Sequence, residues 1–185
     1  GNIYGSSTGN TQFTESLTSN GSVFDILTWV KTRTQGVISQ TSNYDAATRT
    51  WTTTTGLGRT SQYSFDVYQR PTRIQQGTLS SLRFTYTSDK LTKITHGSRI
   101  TSMTYNATSG LLETLTNPLL QTTTYAYDAN EHLSSITRPD LQSVQFKYNA
   151  LGELENIQPV SRPLHRYLFN SIGQVETYSP PTLAS

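Results

Sequence analysis

The side chains with the most chemistry to offer recur along this chain. One residue after each of nine regularly placed aromatics stand Gly5, Asp25, Asp45, Asp66, Thr87, Asn106, Asp128, Asn149 and Asn170. A ladder of carboxylates at such a spacing could bind calcium through oxygen. Thr and Gly, however, supply no carboxylate charge. What Asp, Asn and Thr share is a short side chain that accepts a hydrogen bond from a nearby backbone N–H, as turn-capping residues do. Asp45, Asp66, Asn106, Asp128, Asn149 and Asn170 are therefore expected to cap turns rather than hold a metal.

The remaining reactive types do not converge. His96, His132 and His165 lie ten, five and minus four residues from an aromatic anchor, so they do not stack in register as metal ligands would. Ser and Thr are abundant, but no His stands where it completes a nucleophile pair. Gly56-Leu57-Gly58 leads into a strand pattern, not the helix a phosphate loop requires. No catalytic residue, metal site or cofactor is expected.

Binding chemistry is better represented. A column of aromatics could stack sugars, although such a column more often packs within a sheet. Trp51 and Tyr68 lie off the buried register and are the candidates for exposed ligand stacking. Basic residues gather in the middle of the chain, at Arg49, Arg59, Arg70, Arg73, Arg83, Lys90, Lys93 and Arg99, while Glu113, Glu131, Glu153, Glu155 and Glu176 come later. The middle could steer an anionic glycan; the plainer reading is a solvated strand face that blunts aggregation. Asn20-Gly21-Ser22 and Asn106-Ala107-Thr108 fit the glycosylation acceptor pattern.

These columns need elements that repeat. The anchor aromatics are Tyr4, Phe24, Tyr44, Phe65, Tyr86, Tyr105, Tyr127, Tyr148 and Phe169, about 21 residues apart. Six residues after an anchor comes an apolar residue, and three later another: Leu133 and Ile136, Leu154 and Ile157, Val175 and Tyr178, with Leu91 and Ile94 starting one residue sooner after Tyr86. The repeat at Tyr105 has one extra residue, giving Leu112 and Leu115. A turn signal follows, as in Arg138-Pro139-Asp140 or Asn117-Pro118. Apolar residues then alternate into the next anchor, as in Val144, Phe146 and Tyr148, which is the period of a half-buried strand. Each unit reads as a short strand, a turn, a longer strand and a second turn. This is a meander of antiparallel hairpins.

Composition agrees. Of 185 residues, 33% are hydrophobic and 14% charged, and the net charge is +2. Thr and Tyr, which suit a pleated surface, are plentiful. So small a charge gives no reason to expect nucleic acid. The absence of Cys excludes a disulfide scaffold. No apolar run approaches the roughly 20 residues of a membrane-spanning helix. The chain starts at Gly1 and is read as an excerpt of a longer protein.

The repeat resembles the YD-repeat, or RHS-repeat, family, whose pattern is roughly Tyr-x-Tyr-Asp-x-x-Gly-Arg-Leu, then Thr-x-Pro-Asp-Gly, then the next Tyr-x-Tyr. Tyr125, Tyr127, Asp128 and Leu133 match the opening, and Thr137, Pro139 and Asp140 the middle. Tyr148, Gly152 and Leu154 match the next copy, and Phe169, Gly173 and Val175 the one after. Two departures concern turns: the first Gly survives only at Gly152 and Gly173 among the strong copies, and Leu141 replaces the Gly after Pro-Asp. The resemblance implies a long sheet spiralling into a hollow shell, as in polymorphic toxins, toxin-complex components and teneurin ectodomains. The family's toxins also carry a self-cleaving segment with Asp-Pro motifs, and no Asp-Pro occurs here.

The expectation is all-β: tandem hairpin repeats forming a curved, open sheet of about 16 strands, an arc of such a wall. Residues 1–185 form one array, with divergent or capping repeats over 1–43, well-formed repeats over 44–178 and a tail at 179–185. The expected function is structural and non-catalytic, in the shell or stalk of a secreted or cell-surface protein; the alternative is a module binding a carbohydrate or receptor. Partners would be neighbouring repeats, a second copy joined through edge strands, or a glycan or cell-surface receptor. Neither nucleic acid nor membrane insertion is expected.

Overall fold

The computed structural model describes residues 3–4, 11–20, 26–35 and 38–180. The fold is all-β and every strand pairing described here is antiparallel. The chain divides into two compact units, Gly1–Arg99 and Ile100–Ser185. The first holds β1 (Ile3–Tyr4), β2 (Thr11–Ser19), β3 (Ile26–Gln35), β4 (Ile38–Asp45), β5 (Thr50–Thr55), β6 (Thr60–Phe65), β7 (Pro71–Gln76), β8 (Leu82–Thr87) and β9 (Lys90–His96). Each pairs with the next in sequence order. The second begins within β10 (Arg99–Tyr105). It continues through β11 (Leu112–Thr116), β12 (Thr122–Tyr127), β13 (Leu133–Thr137), β14 (Ser143–Tyr148), β15 (Leu154–Gln158), β16 (His165–Phe169) and β17 (Val175–Ser179). There too consecutive strands pair.

Period-two alternation sends the apolar residues to one face of each sheet. In the first unit the register lines up Trp29, Tyr44, Trp51, Tyr63, Ile74 and Leu82 across six successive strands. In the second, Tyr125, Ile136 and Val144 form one row, and Phe146, Ile157 and His165 another. The region before Tyr44 is built from the same hairpins with longer strands: β2, β3 and β4 have 9, 10 and 8 residues. Phe24 and Asp25, the second anchor and its cap, lie outside the described residues, as does Gly5.

The odd spacing of six and then three residues has a structural cause. Tyr127 pairs with Leu133 while Ala126 pairs with Ser135, so Ser134 is an extra residue on β13. That is a β-bulge, which adds twist and leaves one residue unpaired. The same irregularity places Thr72, Thr92, Glu113, Glu155 and Glu176 as extra residues in the corresponding hairpins. All six are polar, whereas the like shift in the β2–β3 hairpin leaves out Leu27, which is exposed.

Burial departs from the expected core. Among the described residues none is fully buried. A sheet stabilises its apolar face by packing it on another layer, and among the described residues neither unit has a second layer. The anchors Tyr44, Phe65, Tyr105, Tyr127, Tyr148 and Phe169 are half-buried, held by cross-strand neighbours alone.

Candidate functional site

The cap column can be followed residue by residue. Asp128 Oδ1 accepts from the amides of Asn130 and His132, each at 2.9 Å. Asn149 Oδ1 accepts from Leu151 at 2.9 Å and Glu153 at 3.0 Å. Asn170 accepts from Ile172 at 3.1 Å and Gln174 at 3.0 Å. Asp66 accepts from Tyr68 at 2.8 Å and Arg70 at 3.0 Å. Asn106 takes the amides of Thr108 and Ser109, and Asp45 takes the Ala47 amide and the Thr48 hydroxyl. A carboxylate or amide side chain thus organises each of these six turns, whether or not it carries charge.

The backbone of these turns repeats as well. The Glu131 amide donates to the Asp128 carbonyl and the Asp128 amide to the His132 carbonyl. Such a turn ends on a residue with positive φ, a position that favours Gly. Gly152 and Gly173 fill it at φ 81° and 75°. Where the family's Gly is replaced the conformation is kept: Gln69, Glu131 and Leu141 sit at φ 63°, 64° and 64°. Thr87 belongs to a different turn. It pairs directly with Lys90 across Ser88 and Asp89, both at positive φ, which is a two-residue hairpin.

Sequence reasoning missed a cap at the opposite end of the strands. Asn117 Oδ1 accepts from the amides of Leu119 and Gln121 at 2.9 and 3.1 Å, and Leu120 takes φ 62°. The sequence marks Asn117-Pro118 as a turn, but nothing in it assigns Asn117 the capping role.

Contacts between repeats are the second organising feature. The Tyr148 hydroxyl donates to the Leu133 carbonyl at 3.1 Å, and the Tyr86 hydroxyl to the Pro71 carbonyl at 3.0 Å. Arg70 Nε donates to Asp66 at 2.7 Å, and its Nη1 reaches Asp89 of the next hairpin at 3.0 Å. Its guanidinium also lies 4.4 Å from the Tyr86 ring centroid and 4.9 Å from that of Tyr68. His132 stacks on Tyr148 at 4.7 Å and approaches Asp128 Oδ2 at 3.3 Å.

Electrostatics follow from these bonds. At Asp128 partial desolvation pushes the carboxyl pKa up, but hydrogen bonds from His132 and Asn130 outweigh it and leave it below the ordinary 3.8. Asp66 is likewise raised by desolvation and lowered on balance by Arg70. Asp45 is lowered mainly by the Thr48 hydroxyl. Among the described residues no cluster of three metal-ligating side chains occurs.

The two stacking candidates differ. Trp51 stands within the aromatic row and not off it, with ring centroids 5.5 Å from Trp29 and 5.2 Å from Tyr44. The repeat at Tyr44 lacks a bulge, which puts Trp51 directly opposite that anchor. Tyr68 projects from its turn and is 69% exposed, with Arg70 against its ring. A cleft of about 750 Å³ opens between the turns at Leu120 and Leu141. Its one carboxylate, Asp140, is paired with Arg138 at 3.1 Å.

Three solved structures share this fold at low identity. The Photorhabdus luminescens Tc holotoxin pore, bearing a TccC3 mutation, matches with a TM-score of 0.57 at 13% identity, covering 89% of this chain and 12% of that one. TcdB2-TccC3-Cdc42 gives 0.54 at 15%, covering 87% and 10%. TcdB2-TccC3 without its hypervariable C-terminal region gives 0.54 at 14%, covering 89% and 12%. The chain therefore spans about a tenth of the length of these proteins. No curated protein matches by sequence. The profile of the Teneurin YD-shell family matches residues 77–184, more than half of the chain and every bulged hairpin of the second unit. By that match the chain belongs to the teneurin YD-shell family.

Proposed function

We propose that this chain is a non-catalytic structural module, a stretch of wall in the shell or stalk of a larger secreted or cell-surface protein of toxin or adhesin type. The observation that carries the reading is that the residues with chemistry to offer are spent on the repeat itself. Asp and Asn oxygens hold turns, while Tyr hydroxyls and Arg70 join one hairpin to the next. A hairpin alone is marginal in water, so such joints make each repeat depend on its neighbours.

In this reading residues 1–185 are one array, regular over 44–178, whose partners are adjoining repeats of a parent chain or a second copy at an exposed edge strand. Tyr44, Phe65, Tyr86, Tyr105, Tyr127, Tyr148 and Phe169 act as anchors of the wall. Limited proteolysis of the parent protein tests this. Arg70→Gln combined with Tyr148→Phe should open cleavage sites in neighbouring repeats as well as at the substituted ones. Cleavage confined to the substituted hairpins, or turnover in a broad hydrolase screen, would overturn the reading.

A further inference from the structure

The face opposite the aromatic row in the first unit carries an unbalanced charge. Arg73 on β7 pairs directly with Arg83 on β8. Arg83 pairs with Thr95, and the next position on that face pairs Thr85 with Lys93 on β9. Like charges directly opposed across strands are destabilising, with Cβ atoms about 5 Å apart. The strands β6 to β9 contain no Asp or Glu to offset them. Among the described residues the carboxylates that make ion pairs do so with Lys31, Arg70, His132 and Arg138. Arg73 donates through Nη2 to Gln75, but its Nε is shielded from water and has no partner.

We propose that Arg73, Arg83 and Lys93 form a binding site for a tetrahedral oxyanion, the sulfate or phosphate ester group of a larger ligand. Guanidinium groups bind such oxyanions through paired N–H donors. An anion between the two arginines turns their repulsion into a shared attraction. Lys93 adds a third charge on the next strand, diagonal to Arg83 at about 7–8 Å, within reach of the long side chains. The flanking side chains Ser64, Gln62, Gln75 and Thr95 are hydroxyls and amides, suited to a hydroxyl-rich carrier. The aromatics Tyr63, Phe84 and Tyr86 alternate onto the other face, leaving nothing here on which a nucleobase could stack.

The test is titration of the purified chain with three probes at low, fixed ionic strength: inorganic sulfate, heparin, and a single-stranded oligodeoxynucleotide of matched charge. The variant Arg73→Gln/Arg83→Gln is compared with Arg138→Gln/Arg166→Gln, which removes the same charge elsewhere. Heparin should bind more tightly than the oligonucleotide, and the first variant should weaken it by about tenfold. Lys93→Gln alone should weaken it about threefold, and the remote variant less than that. Unfolding midpoints of the Arg73 and Arg83 variants should equal or exceed the parent's, because a repulsion has been removed. Equal losses for both double variants would reduce the effect to net charge and overturn the site, as would tighter binding of the oligonucleotide or no binding of any probe.

Discussion

Leu141 offers a substitution whose sign is opposite to that of most core changes. It occupies the turn position that the family gives to Gly, at φ 64° and 84% exposed. A left-handed conformation costs an L-residue roughly 1–2 kcal/mol. Replacing it with Gly removes that strain and loses little burial, but widens the unfolded ensemble by about 0.4–1 kcal/mol. The balance for Leu141→Gly is a gain of about 0.5–1 kcal/mol. For a domain of this size that corresponds to a rise of about 1–4 °C in the unfolding midpoint. Gly58→Ala is the mirror experiment. Gly58 has φ 74° and a Cβ there would meet nothing within 4 Å, so only conformation changes. Its midpoint should fall by a similar amount. Both are read by thermal unfolding followed by circular dichroism. A midpoint for Leu141→Gly at or below the parent's would refute the claim that these turns hold non-Gly residues under strain.

Three other outcomes are expected. Tyr148→Phe removes the hydroxyl that donates to Leu133 and should lower stability by about 0.5–1.5 kcal/mol in urea titration, whereas Tyr63→Phe, with no such bond, should leave it within error. Tyr127→Ala should cost about 2 kcal/mol, below the 3–5 of a fully buried ring, because Tyr127 is only half-buried. Asp128 has a folded-state pKa below its unfolded value, so it contributes stability above the unfolded pKa and loses it as pH falls through the folded one. Unfolding midpoints should therefore drop below about pH 4. Asp128→Asn should weaken that dependence and leave the share due to Asp45 and Asp66, while the caps Asn149 and Asn170 contribute none of it.

The sequence made the repeat and the strand class legible because each rests on side-chain type at a fixed spacing. The aromatic anchors alternate with period two into each turn, as Tyr125 and Tyr127 do. What the sequence concealed was the bulge. A spacing of three between Leu133 and Ile136 does not fit a regular strand, and only the pairing of Tyr127 with Leu133 shows which residue has been pushed out. The turns at Gln69, Glu131 and Leu141 were hidden for a related reason. Their positive φ is normally announced by Gly; at Gln69 and Glu131 the turns are held by the Asp66 and Asp128 caps without it, and at Leu141 by the backbone bond from its amide to the Arg138 carbonyl. Trp51 was misplaced because a missing bulge shifts the register by one residue, which moves a side chain to the other face.

In the repeats that carry both, the cap and the bulge act together. The cap oxygen fixes the turn, the turn fixes where the next strand starts, and the bulge restores the apolar residues to the shared face. In the hairpin that starts at Tyr148, Asn149 holds Leu151 and Glu153, Leu154 then pairs with Tyr148, and Glu155 is expelled so that Ile157 meets Phe146. Removing the bulge residue by deletion would therefore do more damage than any single substitution on the apolar face. It would send Ile157 and the rest of β15 to the polar side. A repeat that needs an extra residue to keep its face is constrained in length more than in composition. That accounts for a chain that tolerates Asp or Asn at the cap and Gly, Gln, Glu or Leu at the turn, yet keeps returning an aromatic after about 21 residues.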